Sequence, residues 1–175
     1  MKQYIVFLRG VNISGKNKIS MPELKKELEQ AGFADVSTYL NSGNIKLTTD
    51  LKKPEIKIAK LIRDKFDLDI PVYIIEKNKL QDILSHAPAW WNNGDKALYD
   101  NLIFILSDDK PEAICKLIGE PTAELERIEI YKDFIFWTFD RKLYQKCNWW
   151  KKTATNGITE KLTIRTANTI VKLCE

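Results

Sequence analysis

The sequence predicts an α+β fold whose first half is ferredoxin-like, on three observations. Short apolar runs and amphipathic segments alternate as strand-helix-strand-strand-helix-strand over residues 1–76. Both helical segments carry start signals, and the two middle strands flank a turn-forming tetrapeptide. Tyr4–Leu8 reads as a buried strand. A polar loop follows, and Met21, Leu24, Leu28 and Ala31 then recur at helical spacing up to Gly32, a residue suited to the left-handed helix stop. Ser20 and Glu23 form an S-x-x-E capping box, which marks where this helix starts. Val36–Leu40 and Ile45–Thr49 flank Asn41-Ser42-Gly43-Asn44, the signature of a hairpin turn. Pro54 opens a second helix with Ile58, Leu61, Ile62 and Phe66 on one face. Ile70–Ile75 closes the unit as a strand, with Pro71 near its start, where the missing donor is tolerated.

Residues 77–175 read as a second, related unit. A short helix, Lys77–Ser85, leads into a turn-rich connection, and strand Leu102–Leu106 follows. Asp109 and Glu112 are spaced to cap a helix bearing Ile114, Leu117 and Ile118. Arg127–Tyr131 and Phe134–Phe139 pair around Lys132-Asp133. A basic, less regular stretch and a C-terminal helix complete the chain. The shared strand-helix-strand-strand order suggests a duplication, although the halves show no evident sequence identity.

Composition excludes several classes. The chain has 175 residues, 44% of them hydrophobic and 30% charged, which is globular rather than disordered. The longest apolar runs, Tyr4–Leu8 and Leu102–Leu106, are far short of the roughly 20 residues of a spanning helix. Arg9 also closes the first run too early for an export signal, so a soluble, cytoplasmic protein without a membrane partner is expected. Cys115, Cys147 and Cys174 are scattered and odd in number, as befits reduced thiols. A lone histidine, His86, rules out a multi-histidine metal site, and neither metal nor cofactor is expected.

The formal net charge of +4 hides an asymmetry. Residues 1–22 carry four basic groups and no acid, residues 141–175 carry eight basic and two acidic groups, and the middle is acidic. Gly10–Asn17 nearly spells a P-loop, but Asn17 stands where the magnesium-binding hydroxyl belongs and the capping box delays the helix. What remains is an acid-free loop, with Arg9, Lys16 and Lys18 beside Asn12, Ser14 and Asn17, feeding a helix N-terminus that favours anions. Arg9, Asn12, Lys16, Asn17 and Lys18 are therefore candidate ligand-binding residues. Arg165 joins them as a member, with Asn168 and Lys172, of a polar stripe on the C-terminal helix, opposite an inward stripe of Ala167, Ile170, Val171 and Cys174.

Leu8-Arg9-Gly10-Val11-Asn12, Gly15-Lys16-Asn17-Lys18, Met21 with Leu24, Gly32-Phe33, Ser42-Gly43-Asn44 and the segment Thr163–Leu173 together resemble the bacterial domain-of-unknown-function family 1697. That family tends to have a glycine where Ser14 stands and Asn-Trp where Thr166-Ala167 stand. The resemblance implies an uncharacterised bacterial α+β protein in which the first loop is prominent; it implies no reaction. Despite their place in this motif, Ser42 and Asn44 are expected to be turn formers only. With the first and third strands taken as parallel, their turn lies at the far end of the sheet, about 17 Å from the loop.

Three function classes follow. The first is binding of a small anionic or phosphorylated ligand at the first loop. The second is single-stranded nucleic-acid binding through the basic C-terminal region with Trp149-Trp150 and Lys151-Lys152, although such tryptophan pairs more commonly anchor irregular segments to a core. The third is a structural role in which one face of the aromatic strand Phe134–Phe139 stays outside as a subunit surface. His86 is placed to cap helix carbonyls, and no residue stands out as a nucleophile.

Overall fold

The computed structural model describes residues Met1–Glu175 and contains two four-stranded antiparallel sheets and six helices. Two compact units divide the chain, Met1–Asp82 with Cys174 and Ile83–Leu173 with Glu175. In the first unit the elements are β1 (Lys2–Leu8), α1 (Met21–Gln30), β2 (Ala34–Tyr39), β3 (Asn44–Thr49), α2 (Pro54–Phe66) and β4 (Val72–Glu76), with α3 (Lys77–Ser85) following. The sheet order is β2-β3-β1-β4, the ferredoxin-like arrangement.

Each helix forms for local reasons. The Ser20 hydroxyl accepts the Glu23 amide at 3.3 Å, and α1 turns Met21, Leu24 and Leu28 inward. Pro54 fits the first turn of α2, whose Ile58 and Ile62 are fully buried, and Asp67 ends it in the left-handed conformation. These faces pack on Val6, Leu8, Ile45 and Leu47 of the sheet. Truncating any one of them to alanine costs about 2–5 kcal/mol.

One topological expectation fails. β1 and β3 run antiparallel, with Lys2 opposite Thr49 and Phe7 opposite Asn44. The helical crossover returns β2 parallel to β1, so the tight turn after β2 necessarily sends β3 back against both. The exit of β1 and the β2–β3 turn therefore share one end of the sheet.

The second unit comprises β5 (Leu98–Ile105), α4 (Pro111–Ile118), β6 (Glu126–Tyr131), β7 (Phe134–Asp140), α5 (Asn148–Lys152), β8 (Leu162–Thr166) and α6 (Ala167–Cys174). Its order, β6-β7-β5-β8, repeats that of the first unit strand for strand. Pairing register exposes a likeness that unequal loop lengths conceal. Phe7 lies opposite Asn44 as Phe104 lies opposite Phe134, and counting on from there superposes Ile45, Thr48 and Asp50 on Ile135, Thr138 and Asp140. Tyr39 and Tyr131, each paired with the first residue of the next strand, also coincide.

Four other expectations change in this unit. The stretch expected to be irregular contains β8, whose five residues pair with β5. Asp109 does not cap α4: its carboxylate accepts from Ser107 Oγ at 2.7 Å and Lys161 Nζ at 2.6 Å, while Lys110 holds the cap position. These bonds to the charged form hold its pKa below the ordinary carboxylate value. β7 presents no outer aromatic face, because Phe134 through Phe139 are all buried. Ile135, Trp137 and Phe139 join the core cluster, while Phe136 on the opposite face meets Trp91 edge-on at 5.1 Å. Finally, α6 starts at Ala167, so Arg165 belongs to β8 and not to a helical stripe. Leu173 shares the buried face with Ala167 and Ile170, whereas Val171 and Cys174 of the expected inward stripe are only partly buried.

The tryptophans act largely as anchors. Trp91 donates to the Asn101 carbonyl and Trp149 to that of Gly119, both from buried indoles. Beneath α5 lies the buried carboxylate of Glu126, which accepts the amides of Thr122, Trp149 and Trp150 and the Trp137 indole N–H. Those charge-assisted bonds are what make a buried glutamate tolerable.

Candidate anion site

The twelve residues between β1 and α1, Arg9–Ser20, are ordered by their own hydrogen bonds. Val11 and Ile19 are buried and root the two ends. Between them the chain doubles back as a small hairpin: the Asn12 amide donates to the Asn17 carbonyl at 3.1 Å and the Lys16 amide to the Ile13 carbonyl at 2.9 Å. Ser14 and Gly15 at the tip have φ of 49° and 75°, the double positive of a type I′ turn. Asn12 and Asn17 also adopt positive φ, which asparagine tolerates better than other side-chain-bearing residues.

Both asparagines spend their side chains on the loop. Asn12 Oδ1 accepts the Ile19 amide at 2.8 Å, and its Nδ2 donates to the carbonyls of Ile19 and Asn41 at 3.0 and 2.8 Å. Asn17 Nδ2 donates to the Gly10 carbonyl at 2.9 Å. Their role is positional: they fix the hairpin and its contact with the Asn41–Asn44 turn. Lys16 and Lys18 are exposed, and Arg9 is half-buried with its amide bound to the Pro71 carbonyl.

The Asn41–Asn44 turn is the part that sequence reasoning placed wrongly. Besides accepting from Asn12 through Asn41, it accepts the Leu8 amide at the Gly43 carbonyl, 2.8 Å away. A Cβ on Gly43 would sit 2.7 Å from Leu8 Cβ and 2.8 Å from Val11 Cγ2, so only glycine admits this approach. Ser42 and Asn44 do act as turn formers: Asn44 Nδ2 donates to Ser42 Oγ and the Tyr39 carbonyl. A shallow groove runs along this end of the unit, lined by Asn12, Gly15, Lys18, Ser20, Met21 and Asn41 among others. The motif residues of the first loop and of the turn are thus brought together at one sheet end.

Arg165 lies in the second unit. Its guanidinium donates to Thr163 Oγ1 and the Ile164 carbonyl, both at 3.0 Å, and burial pushes its pKa down to about 10. His86 stacks on Tyr131 at 4.5 Å, and its Nδ1 is 3.1 Å from Ser85 Oγ.

A family model described as "Protein of unknown function (DUF1697)" matches residues 1–136, from β1 into β7. The chain belongs to this family. Among solved structures, a conserved bacterial protein from Streptococcus pneumoniae superposes with a TM-score of 0.83 at 25% identity, covering 99% of this chain and 97% of that one. No curated protein matches the chain. The DUF1697 match contains the loop, the turn and all the elements that hold them. No helix is long and apolar enough to cross a membrane.

Proposed function

We propose that this DUF1697 protein binds a small anionic, phosphate-bearing ligand at the Arg9–Ser20 hairpin. The observation that carries the reading is a comparison of the two units. Each must step from its first strand to its first helix. The second unit does so in five residues, Leu106–Lys110, whereas the first uses twelve. Val11 and Ile19 of this segment enter the core, but the exposed Ile13–Lys18 tip between them packs on nothing the second unit requires, and extra ordered loop on a rigid scaffold is where binding groups concentrate.

The chemistry of the addition fits an anion. Arg9–Pro22 contains three cations and no acid, so Lys16 and Lys18 have no counter-charge within the segment. The hairpin delivers the chain into the first turn of α1, whose dipole adds to the positive potential. Lys16 and Lys18 supply charge, Arg9 adds to it from the root of the loop, and Asn12 and Asn17 hold the geometry.

Thermal shift against orthophosphate, sugar phosphates and nucleotides tests this. A ligand at a hundred times its Kd stabilises the folded protein by about 2.7 kcal/mol, and the Lys16→Ala/Lys18→Ala variant is expected to lose that shift. Absence of stabilisation across the panel, or an equal shift in the variant, overturns the reading.

A further inference from the structure

A second basic surface lies in the other unit, and its chemistry differs from that of the hairpin. From Arg141 to Lys152 the chain carries five cations and no acid. Arg141 is committed: its Nε donates to the Leu98 carbonyl and its guanidinium lies 4.6 Å over the Tyr99 ring. Lys142, Lys146, Lys151 and Lys152 are exposed. The same segment carries Tyr144 and Trp150, whose rings pack edge-on at 4.7 Å.

Trp150 is the unusual member. A large indole is ordinarily drawn inward, as its neighbour Trp149 is at 0% exposure, yet Trp150 remains 39% exposed. Its position is also rigid. The Glu126 carboxylate holds the Trp149 and Trp150 amides, and the buried Trp149 indole is tied to Gly119, so the short helix cannot turn Trp150 inward without breaking its anchor. A fixed, half-wet aromatic face on a segment that carries four exposed lysines suits a partner that offers flat π-surfaces and regularly spaced negative charges together.

We propose that the Lys142–Lys152 surface binds single-stranded nucleic acid, with a base stacked on Trp150 and its neighbouring phosphates met by Lys142, Lys146, Lys151 and Lys152. Duplex nucleic acid keeps its bases stacked internally and offers Trp150 nothing. A small phosphate lacks the π-surface. An acidic polypeptide supplies charge without the stack. This proposal stands independently of the hairpin reading, because it uses another unit and other residues.

The test is fluorescence anisotropy of the full-length protein with labelled 15-nucleotide oligo-dT and oligo-U. Binding is expected to weaken with salt at a log–log slope of about −3, roughly −0.7 for each of four phosphate contacts. Trp150→Ala is expected to weaken it about tenfold at fixed salt, and Trp150→Phe, which keeps a ring, no more than about threefold. Lys151→Ala/Lys152→Ala should flatten the slope by about 1.4. Unchanged far-UV spectra and melting midpoints identify the Trp150 variants as folded, and Trp150→Phe serves as the reference should Trp150→Ala fail to fold. The proposal is overturned if neither oligonucleotide binds at low salt, if both Trp150 variants bind like the parent, or if duplex DNA, heparin or an acidic peptide competes equally per charge.

Discussion

At the scale of single residues, two positions are fixed by what surrounds them. Gly43 combines a φ of 80° with two side-chain carbons closer than 3 Å to where a Cβ would stand. Gly43→Ala is therefore expected to destabilise the protein by about 3 kcal/mol or more, because strain at positive φ and overpacking against Leu8 and Val11 act together. A urea midpoint within error of the parent would refute this. Glu126 is fixed by satisfaction of hydrogen bonds instead: four N–H donors converge on one buried carboxylate. Neither residue stood out in the sequence. A glycine in an N-S-G-N turn is ordinary until its partner loop is known, and a glutamate at the start of an amphipathic strand reads as solvent-facing.

At the scale of elements, the sequence was most informative where a signal was local. The Ser20 cap, the Met21-Leu24-Leu28 face and the Pro54 start of α2 all appear in the structure, because capping and amphipathic spacing act within a turn or two. It was least informative where pairing decides the element. β8 is a five-residue strand containing Arg165, and only its ladder to β5 makes it a strand. The β2–β3 turn lies at the opposite end of the sheet from that expected for a related reason, since strand direction follows from counting crossovers and not from any residue. The hairpin between β1 and α1 yields a testable design. Ser14 holds the first central position of a type I′ turn, which asparagine favours over serine. Ser14→Asn is expected to stabilise the protein by about 0.5 kcal/mol while leaving any phosphate-induced shift intact. A lower melting temperature would show that the turn is not limited by backbone preference.

At the scale of the whole molecule, the cysteine reading gains a physical basis. Burial pushes the Cys115 and Cys174 thiols up to about 11 and raises that of Cys147 as well. The thiolate is the reactive form, so the native protein at pH 8 should be alkylated by iodoacetamide far more slowly than the urea-unfolded chain. Rapid native modification of any of the three would contradict this. The charge asymmetry legible in the sequence also resolves into two unlike surfaces: cations on a self-ordered hairpin in one unit, and cations around an exposed indole in the other. Site geometry was legible only as far as residue type. The sequence offers Asn12 and Asn17 as ligand contacts, but in the folded protein their amides are occupied by the carbonyls of Ile19, Asn41 and Gly10. One consequence of the repeated sheet is separability. The shorter strand-to-helix joint of the second unit is a working blueprint for the first, so exchanging twelve residues for five offers a route to the same scaffold with its proposed recognition element removed. Selection on the exposed Ile13–Lys18 tip and selection on the fold are then largely separate pressures, meeting where Val11, Asn12 and Ile19 serve both.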